Sequence, residues 1–450
     1  MPDHTLVVIG GDAAGMSAAS RVRRTQSDRP IIVFEKGRHT SYAACGMPYY
    51  IAGEISTSGK LIARTPEEFR EKHAIDARTG HEVTAINTGA KTVTVHNLAT
   101  GETFDQPYGD LLIATGASPI RPPIDGINTP GVFSLSSLQS GIDVWNWLDG
   151  RKPRNAVVVG GGYIGLEMAE AFLRRGLRTT LIDMASQVMT TMDADMAGLI
   201  PPFMREAGVE VRLEEKLVGF TSNDDGEIES VITDKGPIAA DVVVMGLGVK
   251  PNARLAEQAG IALGAGGAIH VNQRMETSAP NVWAAGDCAE SLHRISGRQV
   301  AIALGTIANK HGVVAGTNIS GGNAMFPGVL GTAITKFNEL EIARTGLSER
   351  EARELGMDVN TAMIKSRTRS GYYPGSDRIT VKLTADADTG RLLGGQIVGM
   401  PGSGKRIDTV ATAIMANLTA HDLAFADLSY APPFSPVWDP VQTAARQLLK

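Results

Sequence analysis

The chain carries the same five-part pattern twice: an unbroken apolar run, a glycine turn, a helix-like segment, a second apolar run and an acid. The first copy runs from Thr5-Leu-Val-Val-Ile9 through Gly10-Gly11-Asp12-Ala13-Ala14-Gly15 to a helical stretch ending near Arg24, then Ile31 to Phe34 and Glu35. The second is Asn155-Ala-Val-Val-Val159, Gly160-Gly161-Gly162-Tyr163-Ile164-Gly165, a helical stretch to about Arg175, Thr179 to Ile182, and Asp183. Apolar runs without alternation suit parallel strands covered on both faces. A glycine turn between such a strand and a helix presents the helix N-terminus to a pyrophosphate, and the following acid accepts ribose hydroxyls. Gly10 makes the tight turn of the first copy and Gly15 lets helix and strand pack, while Asp12 replaces the middle glycine. Each copy is trailed by a similar strand, Asp110-Leu-Leu-Ile-Ala-Thr-Gly116 and Asp241-Val-Val-Val-Met-Gly-Leu-Gly248. One G-x-G-x-x-G is weak evidence. Two, each in strand–helix–strand context, imply an internal repeat of α/β nucleotide-binding domains.

Val282-Trp-Ala-Ala-Gly286-Asp287 is a further apolar strand ending on a glycine and an acid, and is expected to return the chain to the first domain, making the second an insertion. From about Phe326 the pattern shifts to shorter strands (Ile379 to Leu383, Leu392 to Val398) and an apolar helix over Ile407 to Leu418, a third domain of α+β type. The expected divisions are residues 1–117 with 250–325, residues 118–249, and residues 326–450.

Composition narrows the functions. At 450 residues, 43% hydrophobic and 20% charged, the chain has material for about three domains. A net charge of -5 without a basic run argues against a nucleic-acid partner. No apolar run approaches the roughly 18 residues of a membrane span. Two cysteines make no disulfide framework, and a strand begins at once with no leader, so a cytoplasmic protein is expected. The nine histidines lack ligand spacing, and no metal site is expected.

Cys45 lies in Ser41-Tyr42-Ala43-Ala44-Cys45-Gly46-Met47-Pro48-Tyr49-Tyr50, directly after the first dinucleotide unit. Pro48 suits a first helical turn, which places Cys45 just ahead of a helix N-terminus, where the dipole and exposed amides favour thiolate. Cys288, beside Asp287, reads as a packed thiol. Gly399-Met-Pro-Gly-Ser-Gly404-Lys405 mimics a phosphate loop, but Arg406 stands where a magnesium-binding hydroxyl belongs, so a plain glycine-rich connection is expected.

Two dinucleotide domains, a lone cysteine after the first, and a third domain resemble the flavin-dependent pyridine nucleotide-disulfide oxidoreductases. Most members carry a C-x-x-x-x-C pair; here Tyr50 fills the second position, which leaves the single-cysteine branch. Within it, Ser41 and Cys-Gly-x-Pro-Tyr-Tyr are similar to the coenzyme A disulfide reductases, although Ala44 stands where those usually have Asn. The peroxidases and oxidases of the branch keep a histidine in the first glycine turn, where this chain has Ala13. Gly371-Tyr372-Tyr373-Pro374-Gly375 and the stretch from Leu428 through Tyr430 and Trp438 to Pro440 also resemble those reductases.

The resemblance implies FAD bound through Gly10, Gly15, Glu35, Thr115 and Asp287, and NADH or NADPH bound through Gly160, Gly162, Gly165 and Asp183. Asp183 favours NADH, since a carboxylate repels a 2′-phosphate and Met184 brings no compensating charge. It implies coenzyme A contacts at Ser17, Arg21, Arg24, Ser41, Lys72, Asn309 and Trp438. The reactive cysteine is Cys45, assisted by Tyr372 and Tyr430 from the other chain of a homodimer joined through the third domain. The activity implied is reduction of coenzyme A disulfide or persulfide by way of a Cys45–coenzyme A mixed disulfide. The alternatives are an NADH oxidase or peroxidase on the same scaffold and a flavoprotein redox sensor or electron carrier.

Overall fold

The computed structural model describes residues 4–450. The chain divides into two compact units, one made of residues to Ile120, Leu135–Asn146 and Gly248–Val329, the other of Arg121–Ser134, Trp147–Leu247 and Leu330–Lys450.

In the first unit five parallel strands lie in the order Val282–Ala284, Asp110–Ile113, Leu6–Ile9, Ile31–Glu35, Asp76–Thr79. All four residues of Leu6–Ile9 are buried, as an apolar run at the centre of a doubly covered sheet must be. Val282–Ala284 joins this sheet beside Asp110–Ile113, so the chain does return to its first domain. Helix Ala13–Thr25 packs on helix Gly305–Ile319 at a distance that only glycine permits. A Cβ on Gly312 would stand 2.3 Å from the Ala14 carbonyl oxygen, and one on Gly316 2.7 Å from that of Ala18. Three antiparallel strands, His81–Asn87, Thr92–Asn97 and Thr103–Pro107, form a side sheet.

In the second unit another five-stranded parallel sheet runs Glu210–Leu213, Arg178–Asp183, Asn155–Val159, Val242–Met245, Val132–Ser134. Its central register copies the first sheet. Leu6 pairs with Ile31 and Asp110, and Ala156, at the same distance before its glycine turn, pairs with Thr179 and Val242. The rest of this unit holds an antiparallel sheet ordered Ala333–Phe337, Leu340–Gly346, Leu392–Gly399, Arg378–Asp386, Val359–Arg367. The helix expected over Ile407 to Leu418 stops at Met415. Asn417 turns left-handed at φ 58°, and the Leu418 amide closes back on the Ala413 carbonyl at 2.9 Å, a terminator that the apolar run conceals. No helix among the described residues is long and apolar enough to cross a membrane.

Candidate active site

The two glycine turns agree atom for atom. A Cβ on Gly10 would lie 2.1 Å from Ala114 O, and one on Gly160 2.5 Å from Gly246 O; on Gly15 and Gly165 it would lie 2.0 Å and 1.8 Å from the carbonyls of Gly10 and Gly160. Gly10 and Gly160 also hold φ of 105° and 102°, which an L side chain rarely adopts. Each acid is fixed by its own turn. Glu35 accepts from the Gly11 and Gly37 amides at 2.8 and 2.6 Å, and Asp183 from those of Gly161 and Ala185 at 2.6 and 2.8 Å. Both carboxylates keep lone pairs for a ribose. A Cβ on Gly162 would meet nothing within 4 Å, which leaves room for a pyrophosphate above the second turn. Met184, beside Asp183, is exposed.

The thiol-bearing segment is tied to the first turn. The Ser41 amide donates to Gly11 O at 3.0 Å, and the Tyr42 amide to Asp12 Oδ1 at 3.1 Å. Ser41 itself sits at φ 47°. On the other side, the Ala43 and Ala63 amides donate to Leu61 O and Ser41 O at 2.7 and 2.8 Å. Ala44–Gly46 form a single tight turn that runs straight into helix Met47–Ile51, with Pro48 in its first turn. Gly46 packs closely on Leu61, whose Cδ2 a Cβ at residue 46 would meet at 2.4 Å, so a larger residue would require the Leu61 side chain to shift. The helix is anchored by buried Met47, against which Gly141 packs, and by Tyr50 stacked on Trp145 with ring centroids 5.9 Å apart. Tyr50, which stands where the wider family has its second cysteine, is thus a packing residue. Cys45 is exposed; Cys288 is fully buried, and burial pushes its thiol up.

Around the first turn the polar groups suit a bound dinucleotide. Asp287 Oδ1 is buried with no hydrogen-bond partner among the described residues, and burial raises its carboxyl despite a hydrogen bond from the Leu304 amide. A sugar-like hydroxyl of a flavin dinucleotide would satisfy that oxygen. Thr115 Oγ1 donates to Asn252 O at 2.7 Å, and Asn252 returns a bond to Thr115 O at 2.9 Å, fixing the strand end. Asp12 was not assigned a role from the sequence; burial raises its carboxyl to about 6, the Tyr42 amide opposes, and the charges of Glu35 and Asp287 add to the rise.

His311, also missed in the sequence, supports the Asp287 turn from beneath. Its Nδ1 accepts from the Gly286 amide at 3.4 Å, its Nε2 pairs with Ser291 Oγ at 3.2 Å, and its ring meets Phe326 edge-on at 4.4 Å. Burial lowers it from 6.5 to about 4, so the folded protein holds it neutral. A base depressed on folding contributes stability that is complete above its unfolded value and lost as pH falls through the folded one. Between about pH 6.5 and pH 4 the wild type is therefore expected to lose up to roughly 3 kcal/mol through His311 alone. His311→Asn should flatten that part of the pH–stability curve in denaturant titrations. An unchanged acid slope would show that His311 titrates normally in the fold.

Of the expected coenzyme A residues, Ser17, Arg21 and Asn309 come together. Ser17 Oγ donates to Asn309 Oδ1 at 2.8 Å, across the helix pair that carries Arg21. Arg24 and Lys72 are exposed, Lys72 3.3 Å from Glu68 on its own helix. Trp438 lies in the second unit, with the Arg446 guanidinium 4.1 Å from its ring centre.

Tyr372 and Tyr430 also lie in the second unit, 78% and 46% exposed, on two loops stitched together. Ser370 donates from its amide to Pro432 O and from its hydroxyl to Ser435 O, both at 3.2 Å. Arg406 clamps the same loops: Nε meets Asp439 Oδ2 at 2.9 Å, and Nη2 donates to Thr368 O and Phe434 O at 2.9 and 2.7 Å. The phosphate-loop mimic is therefore structural. Its Gly402 and Gly404 amides already donate to Glu341, at 3.2 and 2.6 Å, so a carboxylate of the chain occupies the place an anion would take. No cluster of metal-ligating side chains occurs among the described residues.

Two dinucleotide cradles with one exposed thiol fastened to the first define an oxidoreductase of the two-dinucleotide-domain class. Comparison with known proteins agrees. Residues 4–312 match the family described as pyridine nucleotide-disulphide oxidoreductase, and residues 332–440 match its dimerisation domain. The chain belongs to the pyridine nucleotide-disulphide oxidoreductase family. It is similar to an NAD(P)H coenzyme A polysulfide/persulfide reductase of Pyrococcus horikoshii, 44% identical over 449 residues, covering 98% of each chain. It is similar to a coenzyme A disulfide reductase of Staphylococcus haemolyticus, 33% identical over 433 residues and 96% of each chain. Among solved structures, reduced Bacillus anthracis CoADR-RHD superposes with a TM-score of 0.96 at 36% identity, over 99% of this chain and 80% of that one.

Proposed function

We propose that this protein is an NAD(P)H-dependent flavoprotein reductase of coenzyme A disulfide or coenzyme A persulfide, working as a homodimer in the cytoplasm. The observation that carries the proposal is the single exposed thiol, Cys45, fastened through Ser41 and Tyr42 to the first glycine turn, with a packing tyrosine in place of a second cysteine. The relatives' names supply the substrate class. Gly10, Gly15, Glu35, Thr115 and Asp287 would hold FAD, and Gly160, Gly162, Gly165 and Asp183 the pyridine nucleotide, NADH in preference because of Asp183. FAD, when bound, supplies two-electron transfer between a pyridine nucleotide and a thiol–disulfide couple.

The Cys45 thiolate attacks one sulfur of coenzyme A disulfide; a Cys45–sulfur bond forms, the substrate disulfide breaks, and coenzyme A thiolate leaves. Tyr372 or Tyr430 of the partner chain donates a hydrogen bond to the leaving thiolate, a task for which an exposed phenol on a fixed loop is suited. Restoring the Cys45 thiolate releases the second coenzyme A and consumes two electrons, the number one NAD(P)H carries. Only one cysteine is needed because the substrate brings the other sulfur. Ser17, Arg21, Arg24, Ser41, Lys72, Asn309 and Trp438 hold coenzyme A.

The test is stoichiometric. Under argon, NADH oxidation should depend on added coenzyme A disulfide and yield two thiols per NADH. If dioxygen or peroxide sustains turnover and coenzyme A disulfide does not, the protein is an oxidase or peroxidase instead.

A further inference from the structure

Helix Gly305–Ile319 meets Arg21 as closely as it meets Ser17. Arg21 Nε donates to Thr317 Oγ1 at 3.0 Å, and the Thr317 hydroxyl donates its own proton to Val313 O at 2.8 Å. A threonine hydroxyl has one proton and two lone pairs, so with the proton directed at Val313 the oxygen is left as an acceptor aimed at Arg21. The contact needs the close helix crossing. A Cβ on Gly316 would stand 2.9 Å from Arg21 Cβ, so the glycine next to Thr317 lets the arginine stem lie along the facing helix. Arginine on a half-exposed helix face samples many rotamers. Fixing Nε orients the planar guanidinium and leaves the Nη1 and Nη2 edge as a fork matched to a phosphate.

We infer that Thr317 is a positioning residue for substrate binding: it holds the Arg21 guanidinium so that its outer edge meets a phosphate of coenzyme A disulfide. This rests on the reading that Arg21 binds coenzyme A. Thr317 touches no substrate itself and acts through Arg21. It lies 296 positions from Arg21 in the chain, so no local motif could have pointed to it.

The experiment is a double-mutant cycle on the purified holoenzyme, with steady-state kinetics in coenzyme A disulfide. Thr317→Val is expected to raise KM about fivefold, the loss of one hydrogen bond, and to change kcat less. Thr317→Ser, which keeps the hydroxyl, should return KM to within about twofold of wild type. Arg21→Ala should raise KM further, and adding Thr317→Val to it should change nothing more. A role in helix packing alone would survive without Arg21 and make the two losses additive, which overturns the inference. If Arg21→Ala raises KM while Thr317→Val does not, the positioning role falls and the coenzyme A reading stands. If Arg21→Ala leaves KM unchanged, both fall. Flavin content and Tm of the four variants give a second readout: a Thr317→Val protein with reduced Tm and wild-type KM also counts against the inference.

Discussion

Cys45→Ser is expected to lose at least a thousandfold in coenzyme A disulfide turnover, since a hydroxyl in place of the attacking thiol cannot form the mixed disulfide. The same variant should still bind flavin and still bleach it with NADH. Both glycine turns lie outside the substitution, and Glu35 and Asp183 hold their turns through the backbone amides of Gly11, Gly37, Gly161 and Ala185. Cys288→Ser is the control. Its thiol is fully buried, 3.5 Å from Ile113 O and 3.4 Å from Ala285 O, where a hydroxyl can donate equally well. It should turn over as wild type. A dead Cys288→Ser beside an active Cys45→Ser would mean that the wrong thiol has been assigned.

The second large effect concerns the tyrosines. Tyr372→Phe with Tyr430→Phe should cut turnover by about a hundredfold, the usual scale of a lost proton donor, without slowing reduction by NADH. If the partner chain supplies them, a Cys45→Ser chain mixed with the double-Phe chain builds heterodimers with one doubly defective site and one intact site. Random pairing then restores about a quarter of wild-type activity. No recovery in mixtures with verified heterodimers would place the tyrosines in their own chain's site or outside the chemistry. Arg406 gives this prediction a physical basis, because it binds Thr368, Phe434 and Asp439 at once and so fixes both tyrosine-bearing loops.

The dinucleotide cradles were legible because their physics is local. A glycine five residues after another, a strand before and an acid after the next strand state a geometry within about 30 residues, and Gly10, Gly15, Gly160 and Gly165 do have carbonyls where their side chains would be. The position of Cys45 just after the first dinucleotide unit was legible too: the thiol is exposed, on a segment that Ser41 and Tyr42 tie to the first glycine turn. What escaped lies in contacts between distant segments. Nothing near residue 402 says that Glu341 will occupy its amides, and nothing near Arg21 says that Thr317 will accept from it. His311 reads as one scattered histidine until the fold sets it under Gly286. The end of helix Ile407–Met415 is a different failure: the apolar run continues to Leu418, and only the left-handed Asn417 stops it.

The central claim is that Cys45 joins covalently to coenzyme A, and intact-mass spectrometry tests it most directly. After incubation with coenzyme A disulfide and removal of excess, the chain should gain the mass of one coenzyme A less one hydrogen. Peptide mapping should place that adduct on Cys45, and NADH should remove it. A chain that gains oxygen on Cys45 instead, or carries the adduct on Cys288, or keeps it after NADH, would contradict the account.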